Sequence, residues 1–213
     1  MTKPPYWSRA KRALCAADPV LARVIRAHPR VALTSRGEAF TTLARSIVGQ
    51  QISTKAADAV WSRVMTTCTT MSPQAVLRRR ATTLRSCGLS ERKVEYLRDL
   101  AGHFAGGRID PARFTTQSDE EIITELTDIR GIGRWTAEMF LIFNLFRPNV
   151  LPLDDLGLVK AISRNYLDAE PIAALQKKEG RARIEALAQM WAPWRSVATW
   201  YLWRSLDPVP VEY

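Results

Sequence analysis

Two adjacent carboxylates, Asp154 and Asp155, open a segment whose apolar residues recur at helical spacing: Leu158, Val159, Ile162 and Tyr166. Asp155 lies three and four residues before Leu158 and Val159, so it shares their inward face. Asp154 is rotated from it by about 100°. A carboxylate on an inward face needs a reason. One reason is capping, the common use of an aspartate at a helix start. The other is a functional use, since the dipole and free amides of a helix N-terminus would keep the carboxylate ionised despite partial burial. Local spacing serves both. A second group of residues, Leu126-Thr127-Asp128-Ile129-Arg130-Gly131-Ile132-Gly133-Arg134-Trp135-Thr136-Ala137, sets two glycines about one isoleucine between two helical patterns. Glycine takes positive φ without strain and lets another backbone approach closely. The amides of Gly131 and Gly133 would then point outward beside the next helix start, an anion site that binds phosphate without reading sequence. Ile132 would plug into the core. Most such turns are only tight turns, so the chain's charge has to support the sharper reading.

It does. The sequence carries a formal net charge of +10, with twenty-four arginines and seven lysines. Arginine forks phosphate bidentately, so this balance points to a polyanionic partner. The seven tryptophans include Trp135, directly after the turn, and Trp200 with Trp203 at i, i+3 on the last helical segment. Cys15, Cys68 and Cys87 are odd in number and far apart, and His28 and His103 stand alone. They form no disulfide framework and no zinc-ligand spacing. Reduced thiols in a cytosol are the expectation. No apolar run approaches the roughly 20 residues of a membrane span, and the N-terminus lacks the apolar stretch of a signal peptide.

The elements that must position these residues read as helix after helix. Asp18-Pro19 opens a helix to about residue 28, and a second runs over about 38–48 with Phe40, Leu43, Ala44, Ile47 and Val48 inward. Ser53, Ser72 and Ser90 read as caps, and Ser118 with Glu121 as a capping box. Further helices are expected at about 134–146, 155–166, 180–191 and 195–206. Pro4-Pro5 and the residues from Asp207 onward read as tails. No strand pattern appears, so the fold class is all-α.

The turn segment resembles the helix–hairpin–helix of the DNA glycosylase superfamily. Three other stretches resemble its 3-methyladenine DNA glycosylase II group, in family order: Ala44-Arg45-Ser46-Ile47-Val48-Gly49-Gln50-Gln51-Ile52-Ser53, Leu151-Pro152-Leu153-Asp154-Asp155-Leu156-Gly157-Leu158, and Trp191-Ala192-Pro193-Trp194-Arg195-Ser196. The resemblance implies one glycosylase domain over residues 1–213, with two helical lobes around a cleft. One lobe would take roughly residues 38–145, including the hairpin at 126–137, and the other residues 1–37 plus 146–213. It implies Asp155 as the catalytic carboxylate, stabilising an oxocarbenium-like sugar or directing a water to C1′ as the base leaves. Trp135 and Trp203 would be aromatic walls for a flipped base, their ring faces favouring a cationic one. Met139 stands where the group can have a pocket tyrosine. Gln51 stands where it can have an apolar wedge for the gap left by the flipped base. Gly131, Ile132, Gly133, Arg134 and Thr136 would contact the DNA backbone.

Bifunctional members of the superfamily place a Schiff-base lysine where this chain has Trp135, so a monofunctional enzyme is expected. No cysteine follows Cys87, so no iron–sulfur cluster is expected. The backbone carbonyls of Thr127, Ile129 and Gly131 match positions that can hold a monovalent cation, Na+ or K+. About 37 residues precede the matched region, too few for the extra N-terminal domain of better-known bacterial members. The resemblance therefore predicts a monomeric hydrolase that excises alkylated purines such as 3-methyladenine from damaged double-stranded DNA, working in the bacterial cytosol or nucleoid away from any membrane. Two other readings are a non-catalytic helix–hairpin–helix DNA-binding protein and a basic helical protein that binds RNA or another protein. An Asp155 that does no more than cap its helix would favour the binders.

Overall fold

A computed structural model describes residues 3–29, 32–35 and 37–206. Helix α1 spans Trp7–Ala17 and buries Trp7, Ala10 and Leu14 at i, i+3, i+7. Helix α2 (Pro19–Ala27) starts where expected, with Asp18 accepting hydrogen bonds from the Val20 and Leu21 amides. Next come α3 (Ala39–Gly49), α4 (Thr54–Cys68), α5 (Pro73–Arg78), α6 (Ala81–Ser86) and α7 (Glu91–Ala105). Glu38, Ser53, Ser72 and Ser90 accept the capping bonds of α3, α4, α5 and α7. A 3-10 turn at Pro111–Thr115 precedes α8 (Asp119–Thr127), which carries the complete Ser118–Glu121 capping box. Then follow α9 (Arg134–Phe143), α10 (Leu156–Tyr166), α11 (Ile172–Leu175), α12 (Lys178–Leu187) and α13 (Arg195–Leu206). The described residues contain no strand, and none of their helices is long and apolar enough to cross a membrane.

Three expectations change. Pro4 is buried and accepts the Trp7 amide, so the N-terminal prolines start a folded helix and are not a tail. The helix expected to reach residue 146 stops at Phe143. Phe146 turns the chain at a φ of 55°, and Arg147, restricted by Pro148, donates back to the Leu141 carbonyl. The helix expected over 180–191 is α12 followed by a 3-10 turn at Ala188–Trp191. The expected tail from Asp207 onward lies outside the described residues.

The chain divides into two compact units, and the division falls within α9. Unit 1 holds the described residues up to 35 and those from 141 to 206. Its centre is α13, buried without a break from Ser196 to Arg204 and packed against α1, α2 and α10. A helix covered on all sides needs its polar groups answered. Ser196 donates to the Arg147 carbonyl, and the Arg204 guanidinium lies 4.7 Å from the Trp200 ring centroid. Unit 2 holds residues 37–140. Its centre is α7, which packs on α3 and α5 through Val94, Leu97, Leu100 and Ala101.

Candidate active site

In unit 1, Asp155 is the N-cap of α10 and is only 4% exposed. Its Oδ1 accepts the Leu158 amide at 2.6 Å, so the capping reading is correct as far as it goes. The same oxygen accepts the indole N–H of Trp203, 48 residues away on α13, at 2.8 Å. A cap needs no donor from another helix. The Trp203 ring is in turn stacked on Phe143, with centroids 5.8 Å apart and planes within 7°. Gly157 makes this approach fit. A Cβ there would lie 3.3 Å from the Trp203 ring and 3.1 Å from Asp155 Oδ1. Beside the buried carboxylate, Leu156 is 58% exposed, so this helix start reaches the surface. Asp154, as its rotation predicts, turns away and pairs with Arg181.

A second buried carboxylate in this unit sharpens the contrast. Both oxygens of Asp18 are taken: Oδ1 by the Val20 and Leu21 amides, Oδ2 by the Tyr166 hydroxyl and the Trp191 indole. It joins α2, α10 and the 3-10 turn at Trp191 in the core. Burial and the neighbouring Asp18 carboxylate push the Tyr166 hydroxyl far above its ordinary range.

In unit 2, the turn between α8 and α9 sets Gly131 and Gly133 just before the start of α9. Ile129 and Ile132 are buried and pin it to the core, joined by a hydrogen bond from the Ile132 amide to the Ile129 carbonyl. Gly131 has a φ of +82°, and a Cβ on it would lie 2.2 Å from the Tyr96 ring. Gly133 is not in the left-handed region, and a Cβ there would meet nothing within 4 Å. The two glycines therefore differ: Gly131 is required by the turn's own packing, Gly133 faces open space. Neither amide donates to an acceptor among the described residues, which leaves two N–H groups at the start of α9 for an anion.

The other predicted contacts divide. The Ile132 and Thr136 side chains are buried, so these residues present backbone rather than side chain. The Arg134 guanidinium is held by Glu120 and Glu138 and holds the Glu120 carboxyl below the usual range. Arg130 is exposed at the turn. Gln51 is exposed at a φ of 58°, just past the end of α3. Trp135 is half-buried and Met139 buried, both on α9. Of the carbonyls proposed for a monovalent ion, Ile129 already accepts the Ile132 amide and Gly131 the Gln50 side chain at 2.8 Å. A carbonyl keeps a second lone pair after one bond, so neither hydrogen bond uses up its oxygen. Among the described residues no cluster of His, Cys, Asp or Glu could hold a metal. Sequence reading missed Gln50, Tyr96, Asp99 and Gly157, all of which act through partners distant in the chain.

The chain matches the HhH-GPD superfamily of base excision DNA repair proteins over residues 44–191. It is 34% identical to DNA-3-methyladenine glycosylase 1 of Schizosaccharomyces pombe over 172 residues, 79% of this chain and 72% of that protein. A DNA-3-methyladenine glycosidase of Bacillus halodurans superposes with a TM-score of 0.85 at 33% identity, over 97% of this chain and 93% of the other. A Schizosaccharomyces pombe 3-methyladenine DNA glycosylase, solved in complex with abasic DNA, has a TM-score of 0.75 at 30% identity, over 96% of this chain and 98% of the other.

Proposed function

Because the chain belongs to the HhH-GPD superfamily of base excision DNA repair proteins, we propose that it is a monofunctional DNA glycosylase that excises alkylated purines such as 3-methyladenine from duplex DNA. The observation that carries this reading is Asp155: a buried carboxylate at a helix start that reaches the surface, fixed on one oxygen by its own helix and by Trp203. A fixed carboxylate stabilises positive charge without reorganising as the charge appears. In the reaction the C1′–N bond breaks and the base leaves with the electron pair. The sugar becomes oxocarbenium-like, and a water oxygen then bonds to C1′ and loses a proton to Asp155 or to solvent. An alkylated purine such as 3-methyladenine is already cationic and leaves neutral, so little general-acid help is required.

The remaining residues have supporting roles in this proposal. The free amides of Gly131 and Gly133 take a DNA phosphate, and Gln51 fills the gap left by the flipped base. Trp203, which holds Asp155, would border the base. Trp135 offers no amine for a Schiff base, so strand cleavage is not expected. The carbonyls of Thr127, Ile129 and Gly131 would hold a Na+ or K+ ion, whose charge would strengthen the phosphate contact.

The test is incubation with a methylated duplex, measuring free base and strand integrity together. The expected result is released 3-methyladenine with the abasic strand intact. No release would defeat the reading, and release accompanied by nicking would defeat its monofunctional part.

A further inference from the structure

One face of α7 lies behind the turn. Lys93, Tyr96, Asp99 and His103 follow each other at spacings of three, three and four, which stacks them along one side of a helix. Each touches something the proposed DNA grip depends on. Lys93 Nζ donates to the Val48 carbonyl in the last turn of α3, just before Gln50 and Gln51. The Tyr96 ring occupies the place a Gly131 side chain would need. Asp99 Oδ2 accepts the Arg130 amide at 2.9 Å. His103 is buried, with Nε2 3.2 Å from Asp128 Oδ2 and Nδ1 2.9 Å from the Asp99 carbonyl. Arg108 lies 3.3 Å from the same Nδ1. From the other side, Gln50 Nε2 donates to the Gly131 carbonyl.

We infer that Asp99 and His103 are positioning residues for the phosphate contact of the 128–133 turn, setting which amides it offers and in what direction. The inference rests on the reading that this turn grips the DNA backbone. Its physical basis is selection among amides. Arg130, Gly131, Ile132 and Gly133 supply four successive N–H groups. Asp99 takes the first and the Ile129 carbonyl takes the third, leaving Gly131 and Gly133 as the outward pair. Without Asp99 the Arg130 amide is released and the turn loses a charge-assisted bond on its exposed side. Without His103 the Asp128 end loses its tie to α7. Glycine at two of these four positions makes the turn depend on such external ties, because its own backbone restricts it little.

Asp99→Ala, Asp99→Asn and His103→Ala are compared with wild type in duplex binding at low salt, single-turnover base release at saturating enzyme, and thermal unfolding. Asp99→Ala and His103→Ala are expected to weaken duplex binding by about tenfold, the scale of one hydrogen bond to a charged group. The single-turnover rate should fall far less. Asp99→Asn, whose amide oxygen still accepts from Arg130, should recover most of the affinity. The inference is overturned if both alanine variants bind like wild type. It is also overturned if affinity, rate and unfolding temperature fall together with no recovery in Asp99→Asn, the pattern of a merely structural role. A wild type that binds duplex but releases no base defeats the proposed function alone. One that binds no duplex defeats both.

Discussion

At Asp155 two uses of a carboxylate coincide. The Leu158 bond makes it a helix cap, and the Trp203 bond fixes its direction from another helix. Removing only the second isolates its worth. Trp203→Phe keeps a ring to stack on Phe143 and deletes the N–H. Base release should slow by about tenfold, with duplex affinity within a few-fold of wild type, as expected for losing one bond to a charged group. Single-turnover kinetics at saturating enzyme check this, and an unchanged rate would mean that Trp203 does not orient Asp155. Gly157 makes a related prediction. Its added Cβ in Gly157→Ala meets the indole and the carboxylate at 3.1–3.4 Å, so one of them must yield by a few tenths of an ångström. Gly157→Ala should also slow release, and release at the wild-type rate would show that the fit is looser than the packing implies. The inward register of Asp155 was legible from Leu158 and Val159. Its second donor was not, because no local period reports a contact across 48 residues.

The segment from α8 through the turn to α9 separates folding from binding in the two glycines that flank Ile132. Gly131→Ala forces a side chain into the left-handed region and into the Tyr96 ring. It should cost about 1–3 kcal/mol from backbone strain alone, visible as a lower unfolding temperature. Gly133→Leu points into open space and should unfold near the wild-type temperature while binding any duplex sequence more weakly. Equal affinity in Gly133→Leu at low salt would rule out the phosphate contact. Most of this element was readable: the capping box at Ser118, the buried Ile132 and the start of α9 all follow from local chemistry. The chain start was misread. Trp7, Ala10 and Leu14 hold a helical spacing, but Pro4-Pro5 and the charges at Arg9, Lys11 and Arg12 hid a helix among residues that look like a tail. Beyond the early end of α9, Phe146 turns at positive φ and Pro148 restrains Arg147, local features that the apolar run Leu141-Ile142-Phe143 obscured.

Over the whole molecule the charge of +10 makes a prediction that no single residue makes. If duplex binding neutralises about four or more phosphates, log affinity should fall against log salt with a slope of about −4 or steeper. A slope near zero would mean that the basic surface serves another purpose. The all-α class was legible because most of the longer helices carry their own period and a capping side chain; α1, α6 and α11 have no capping side chain and were not read. The resemblance implied two lobes meeting near residue 145; a continuous helix such as α9 gives no local sign of where one core ends. The central claim is that Asp155 performs the chemistry while the turn and the basic charge perform the binding. Single-turnover base release from a methylated duplex, wild type against Asp155→Asn, tests it most directly. Release should fall by about a hundredfold or more, with duplex affinity kept within a few-fold. Release by Asp155→Asn at the wild-type rate would contradict the account.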